Sequence, residues 1–199
     1  IHLVYGNHLL LRLYMARITA IMGIYNCADT LVEALESLET QTYKNFKVIL
    51  CDDGSKDATL KIAKEWADTR PNYTVIQNEH NMGLNVTLNH CLKYVDTEFV
   101  ARMDGDDRSL SHRFEQEVKF LDEHPEYAIV SGPMHYFDEQ GVFMKSKGRG
   151  AVTKQDFIAG TPFCHAPCMV RSEVYTAVKG YSVDKRLLRM EDYHLWFKM

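Results

Sequence analysis

The sequence is short of the features that would place it at a glance. It has no C-x-x-C pair, and its five cysteines, Cys27, Cys51, Cys91, Cys164 and Cys168, are odd in number and scattered, which argues against a disulfide framework. His165 lies between Cys164 and Cys168, but no second ligand pair has zinc-finger spacing, so a structural zinc is set aside. Reduced, buried thiols in a cytoplasmic compartment are expected. Runs of ~20 apolar residues, enough to span a membrane, are absent. The mildly apolar opening IHLVYGNHLLLRLYMA is broken by His2, Asn7, His8 and Arg12 and lacks the small-residue cleavage site of a secretory signal. There is no basic stripe either. Net charge is −4, from 23 basic and 27 acidic residues with signs mixed throughout, which excludes nucleic acid as the partner. Two phosphate cradles are missing, G-x-G-x-x-G after the first strand and G-x-x-x-x-G-K-[ST] anywhere. Any phosphates bound here must be neutralised by other means.

What is present is an ordinary globular composition. The 199 residues are 46% hydrophobic and 25% charged, enough for one sizeable core. The chain starts at Ile1 and stops inside an apparent helix, EDYHLWFKM, so both ends are expected to be cut from something longer. Between them, apolar runs alternate with helical periodicity. Strands are predicted at 17–24, 45–51, 73–78 and 98–103, and helices at 28–41, 57–68, 83–95 and a long one at 109–124, stopped by Pro125. This alternation predicts an α/β fold, a Rossmann-like, mostly parallel sheet with helices on both faces. Beyond Pro125 the pattern is less regular. YAIVSGPMHYFDEQGVFMK reads as two strands joined at Glu139-Gln140-Gly141, TKQDFIAGTPF as a short helix and loop, and CMVRSEVYTAV as a strand running into a helix.

In open parallel sheets, ligands bind beyond the carboxyl ends of the strands. Three such ends carry unusual residues. GIYN offers Tyr25 as a platform for a flat ring, although Asn26 with Asp29 could simply cap the next helix. CDDGSKDAT places Asp52 and Asp53 before Gly54; Ser55 or Asp57 suffices as a cap, while the adjacent acids could accept from an imide N–H or sugar hydroxyls. ARMDGDDRSL concentrates Asp104, Asp106 and Asp107 within four positions. In an extended segment Asp104 and Asp106 share one side, a partial shell of the kind Mg²⁺ or Mn²⁺ accepts; a solvated acidic turn is the plainer reading. A calcium EF-hand is excluded: Glu115 falls at position twelve from Asp104, but Arg108 and Ser109 stand where an acid or amide and a Gly are required. A further pair, Glu191-Asp192, opens a helix, where the dipole alone would favour acids.

Taken in order, ITAIMGIYNCADTLVEALESLETQTYKNFKVILCDDGSKDAT, NEHNMGLNVTLNHCL, FVARMDGDDRSLSHRFEQEV and EDYHLWFK resemble glycosyltransferase family 2, of the A-type fold, across residues 17–198. The resemblance implies a single glycosyltransferase domain at 17–199, nucleotide-binding over 17–125 and acceptor-side over 126–199, after an extension at 1–16. It implies an inverting transferase that takes a nucleotide-sugar donor, UDP-linked, and builds surface glycans on a glycan or lipid-linked acceptor, in the cytoplasm with visits to the inner membrane face. By the same resemblance Tyr25 lies against the base and Asp53 accepts from a base N–H with Asp52 beside it. Asp104 sits near ribose and metal, Asp106 binds Mg²⁺ or Mn²⁺, and Asp107 assists. Asp192 is the catalytic base, Glu191 orients or contacts the acceptor, and His165 lines the acceptor side. Gly23 and Ser111 stand where the family commonly has Pro. A non-catalytic sugar-nucleotide-binding module and a metal-dependent nucleotidyltransferase are the alternative classes. The second usually brings a Gly- and Arg-rich loop after the first strand, and MGIYNCAD has no Arg.

Overall fold

The computed structural model describes residues 15–187 and 190–199; most of the expected N-terminal extension, residues 1–14, lies outside the described residues. The central strand is β1 (Ile18–Ile24), where Ile18, Ala20, Met22 and Ile24 enter one core layer and Ile21 the other. An apolar run without alternation suits a strand covered on both faces. It pairs in parallel with β2 (Phe46–Asp52) and β4 (Phe99–Asp104), and β2 pairs in parallel with β3 (Tyr73–Gln77). Helices α1 (Ala28–Glu39), α2 (Thr59–Ala67) and α3 (Leu84–Leu92) make the crossovers, and α4 (Arg113–Glu123) follows β4. Leu31, Leu35 and Leu38 of α1, Ala63 of α2 and Phe114, Val118 and Leu121 of α4 cover one face. Leu88 and Cys91 of α3 cover the other, with Tyr175 of α5 (Ser172–Val178) and Leu195 and Trp196 of α6 (Glu191–Lys198).

The C-terminal third departs from the sequence expectation. The segment expected to form one hairpin is divided. Ile129–Ser131 is β5 at the edge of the main sheet, while β6 (His135–Asp138) and β7 (Gly141–Lys145) pair with each other across the anticipated Glu139–Gly141 turn. β8 (Cys168–Arg171) lies between β4 and β5, antiparallel to both, giving the order β3-β2-β1-β4-β8-β5. The short helix in TKQDFIAGTPF is a 3-10 turn over Lys154–Ala159.

The long fourth helix is also shorter than its periodicity suggested, because residues 105–112 form a loop pinned to α1 and to the residues just past its end. Thr30 donates to the Gly105 carbonyl (2.9 Å), and the Ser109 N–H donates to Ser37 Oγ (2.9 Å). Gln41, fully buried, donates to Ser109 Oγ and the Leu110 carbonyl and accepts from the Phe114 N–H (3.0 Å). One side chain thus satisfies both ends of the turn that enters α4. Gln41→Leu would strand these groups at a cost of about 2 kcal/mol. Calorimetry of that variant is expected to show a melting temperature lower by roughly 4–8 °C.

Candidate active site

The strand order reverses around β1, with β2 and β3 on one side and β4 on the other. Its register pairs Ile24 with Asp52 and Gly23 with Asp104. Neighbouring strands lie ~4.8 Å apart, so these two acids flank the tip of β1 at the reversal, where ligands of such sheets bind. α3 approaches this point closely: a Cβ on Gly23 would meet Leu84 Cδ1 and Thr87 Cγ2 at 3.2 Å.

The two loops beyond β1 and β2 hold each other. Ser55 Oγ accepts from the Asn26 N–H (3.0 Å), and Asn26 Oδ1 accepts from the Lys56 N–H (2.8 Å). Asp57 accepts from Ala28 N–H (3.2 Å) and Thr59 N–H (3.0 Å), so one carboxylate serves the first turns of α1 and α2. The cap of α1 therefore comes from the neighbouring loop, not from Asn26 or Asp29. The hydrogen bonds from Thr59, side chain and backbone, hold Asp57 below the usual carboxylate range. Gly54 turns the chain at φ +73°, where a Cβ would lie 2.7 Å from the His80 backbone; only glycine fits. Tyr25 is exposed beside these loops.

Asp52 and Asp53 are both buried but differently engaged. Asp53 Oδ1 accepts from Asn78 Nδ2 (2.8 Å) and the Met82 N–H (2.9 Å), and Oδ2 from the Gly83 N–H (2.9 Å). Three of its ~four acceptor sites are used by the protein. Asp52 Oδ2 accepts from the Gly54 and Ser55 N–H groups (3.2 and 3.1 Å), whereas its Oδ1 is buried with no donor. A buried carboxylate oxygen left in this way is costly unless a donor arrives.

β4 ends at Asp104, and Gly105-Asp106 form a turn, so the alternation that would align Asp104 with Asp106 stops one residue too soon. Asp104 Oδ1 meets Arg102 Nη2 at 2.5 Å, because side chains two apart on a strand share a face. Arg102 is buried; its Nη1 donates to the Met103 carbonyl and its Nε has no partner. Burial works against the guanidinium's charge, but Asp104, together with Tyr181 and Tyr175, outweighs it and the pKa is raised. Asp106 is exposed and makes no hydrogen bond among the described residues. Asp107 is half-buried, and burial, reinforced by Asp104 and Asp106, pushes its carboxyl pKa up. Gly105 packs so tightly that a Cβ would lie 2.8 Å from Cys27 Sγ. Among the described residues no three His, Cys, Asp or Glu converge as a metal cage. The donor set is instead an open, acidic, oxygen-only one, which suits Mg²⁺ or Mn²⁺ sharing its shell with water and phosphate.

Glu191 and Asp192 open α6. Asp192 Oδ1 accepts its neighbour's N–H, from Tyr193 (2.7 Å), and Glu191 Oε2 is buried without a partner. His165 Nε2 bonds Tyr181 Oη (2.9 Å), and its ring packs on Trp196. Burial, helped by the charge of Arg102, lowers its pKa to about 3, so it is a neutral, packed imidazole at physiological pH. A cleft of about 650 Å³ opens next to Asp107, between the start of α4, the β6–β7 hairpin and Ala166-Pro167. Its wall includes Arg113 and Glu117, joined at 3.0 and 3.2 Å. Neither Arg102 nor Glu117 was singled out from the sequence. An Arg inside the apolar run FVARM, two residues before an acid, was the available signal for the first.

Residues 19–178 match the family model described as Glycosyl transferase family 2. The chain is 44% identical over 189 residues to the putative glycosyltransferase EpsE of Bacillus subtilis, covering 92% of this chain and 66% of that protein. It is 29% identical over 194 residues to the UDP-Glc:alpha-D-GlcNAc-diphosphoundecaprenol beta-1,3-glucosyltransferase WfaP of Escherichia coli, covering 93% and 70%. Among solved structures, S. aureus TarS 1-349 in complex with UDP superposes with a TM-score of 0.67 at 23% identity, over 92% of this chain and 54% of that 1-349 chain. The mannosyltransferase PcManGT from Pyrobaculum calidifontis, in complex with GDP-Man and Mn2+, gives 0.66 at 23%, over 86% and 49%. The chain thus spans about two thirds of these curated relatives and about half of these structural neighbours.

Glu117 yields a test of the cleft wall. Burial raises its pKa from 4.5 to about 7, against the pull of Arg113. The native state therefore keeps a proton that the unfolded chain releases, and stability falls by about 3 kcal/mol as pH rises from 4.5 to 7, then levels. Urea unfolding midpoints of Glu117→Gln are expected to lack this decline.

Proposed function

Because the chain belongs to glycosyl transferase family 2, we propose that it moves a sugar, with inversion, from a UDP-sugar to an acceptor hydroxyl in the building of a surface glycan. The observation that carries this reading is the pair of acids flanking the tip of β1 at the reversal of strand order, Asp52 beside Ile24 and Asp104 beside Gly23. Asp52 takes the base N–H, and Asp53, engaged by Asn78, Met82 and Gly83, shapes the loop behind it. Tyr25 lies against the base from its exposed position.

Asp104, aimed by Arg102, would lie by the ribose, and with Asp106 and Asp107 would hold Mg²⁺ or Mn²⁺. When bound, the ion stabilises the negative charge growing on the diphosphate. The acceptor oxygen attacks the anomeric carbon, the bond to the diphosphate breaks with its electron pair leaving on phosphate oxygen, and the hydroxyl proton passes to Asp192. Since Tyr193 N–H occupies Oδ1, Oδ2 receives it. General-base help of this kind is worth ~10²–10⁴-fold. Glu191 orients the acceptor. His165, neutral and bonded to Tyr181, shapes the floor without moving protons.

The acids are expected to separate by experiment. In isothermal titration Asp52→Asn weakens UDP binding by about tenfold or more, the loss of one hydrogen bond to a charged group. Asp53→Asn mainly lowers the melting temperature. Asp106→Ala loses the Mn²⁺-dependent part of UDP affinity; unchanged affinity with and without Mn²⁺ in that variant refutes the metal assignment. Asp192→Asn keeps UDP and Mn²⁺ affinity while UDP release from UDP-sugars collapses.

A further inference from the structure

The side-chain amide of Asn78, just past β3, is buried, and each of its hydrogen-bonding positions meets a partner. Nδ2 donates to Asp53 Oδ1 (2.8 Å) and Thr87 Oγ1 (3.0 Å), while Oδ1 lies 2.8 Å from His90 Nδ1 and 3.7 Å from Cys51 Sγ. Asp53 also takes the Met82 and Gly83 N–H groups, so it serves here as an acceptor, and that decides which end of the amide is nitrogen. Oδ1 must then face His90. Two acceptors cannot bond each other, so His90 Nδ1 carries a hydrogen and donates. His90 sits half-buried in the last turn of α3 and bonds none of the strand-end acids itself.

We propose that His90 is a positioning residue for the nucleoside pocket, acting through the Asn78 amide on Asp53; the inference rests on the nucleotide-binding reading of that pocket. Asp53 clamps two loops together. Its backbone belongs to the turn after β2, and its carboxylate grips the loop that enters α3 at Met82 and Gly83. The same two loops touch where Gly54 meets the His80 backbone, 2.7 Å from a Cβ placed there. Within the clamped turn, the Gly54 and Ser55 N–H groups hold Asp52 by its Oδ2 and so set the direction of its Oδ1. Without a donor at position 90, Asn78 Oδ1 keeps only the long thiol contact. A buried amide oxygen left in that state is costly. The amide shifts toward another donor, Nδ2 moves off Asp53, and the turn that aims Asp52 loosens. Affinity for the nucleoside falls while the reacting atoms are untouched.

The test is isothermal titration with UDP in the presence of Mn²⁺ on the wild-type chain, His90→Leu and His90→Asn. His90→Leu is expected to bind UDP weaker by about fivefold or more, the worth of one neutral hydrogen bond, at a temperature where circular dichroism shows it folded. His90→Asn is expected to bind like the wild type, since Asn can place an N–H near where the imidazole Nδ1–H stood. A packing role alone would lower the melting temperatures and leave affinity unmoved. Wild-type affinity in a folded His90→Leu, or equal weakening in His90→Asn, overturns the proposal. Imidazole ¹⁵N spectra need no variant: His90 is expected to carry hydrogen on Nδ1 at neutral pH, and a bare Nδ1 overturns the proposal by itself. Absence of UDP binding by the wild-type chain refutes the nucleotide reading and this inference with it, whereas UDP binding indifferent to His90 refutes this inference alone.

Discussion

Arg102 is charged, buried and set in the apolar strand β4, an arrangement tolerable only because Asp104 faces it at 2.5 Å. The pair joins the core to the chemistry. The backbone of β4 is locked between β1 and β8, Arg102 is locked by that backbone, and Asp104 is thereby aimed from below instead of swinging on a surface turn. The same charge reaches the His165–Tyr181 pair, where it helps keep His165 unprotonated. Removal of Asp104 would leave Arg102 uncompensated in a low-dielectric interior, so site geometry and fold stability are not separable here.

The acids near the strand ends look alike in the sequence and divide into two kinds in the structure. Asp57 and Asp53 spend their oxygens on backbone N–H groups and thereby fix loops. Asp52 Oδ1 and Asp106 keep oxygens unspent. The first kind makes the second possible, because loops that clasp each other through Asn26, Ser55 and Asp57 cannot relax to satisfy Asp52.

The parallel core was legible because its strands are apolar on both faces and its helices show a clear 3.6 period; β1, β2 and β4 fall where the runs of ITAIMGI, FKVILC and FVARM placed them. Direction and order were not legible in the last third. Four residues, CMVR, fit a strand of either sense, and only the tertiary contacts of Val170 with Val100 and Ile129 decide it. The start of α4 was misplaced since SLSH continues the amphipathic pattern, and the buried Gln41, distant in sequence, stops it. Which aspartate keeps a free oxygen also escaped the sequence, because Asn78, Met82 and Gly83 reach Asp53 from another loop.

The position of β8 has a consequence for a chain emerging from the ribosome. Strands β1 to β4 use residues contiguous from Ile18 to Asp104 and can assemble as soon as they are made. β5 cannot join them directly, since β8 must first insert between it and β4. Until Cys168–Arg171 leaves the exit tunnel, the flank of β4 stays open and β5 waits without a neighbour. An unpaired flank invites pairing with other chains. Nascent protein stalled in that interval is the form most in need of a chaperone.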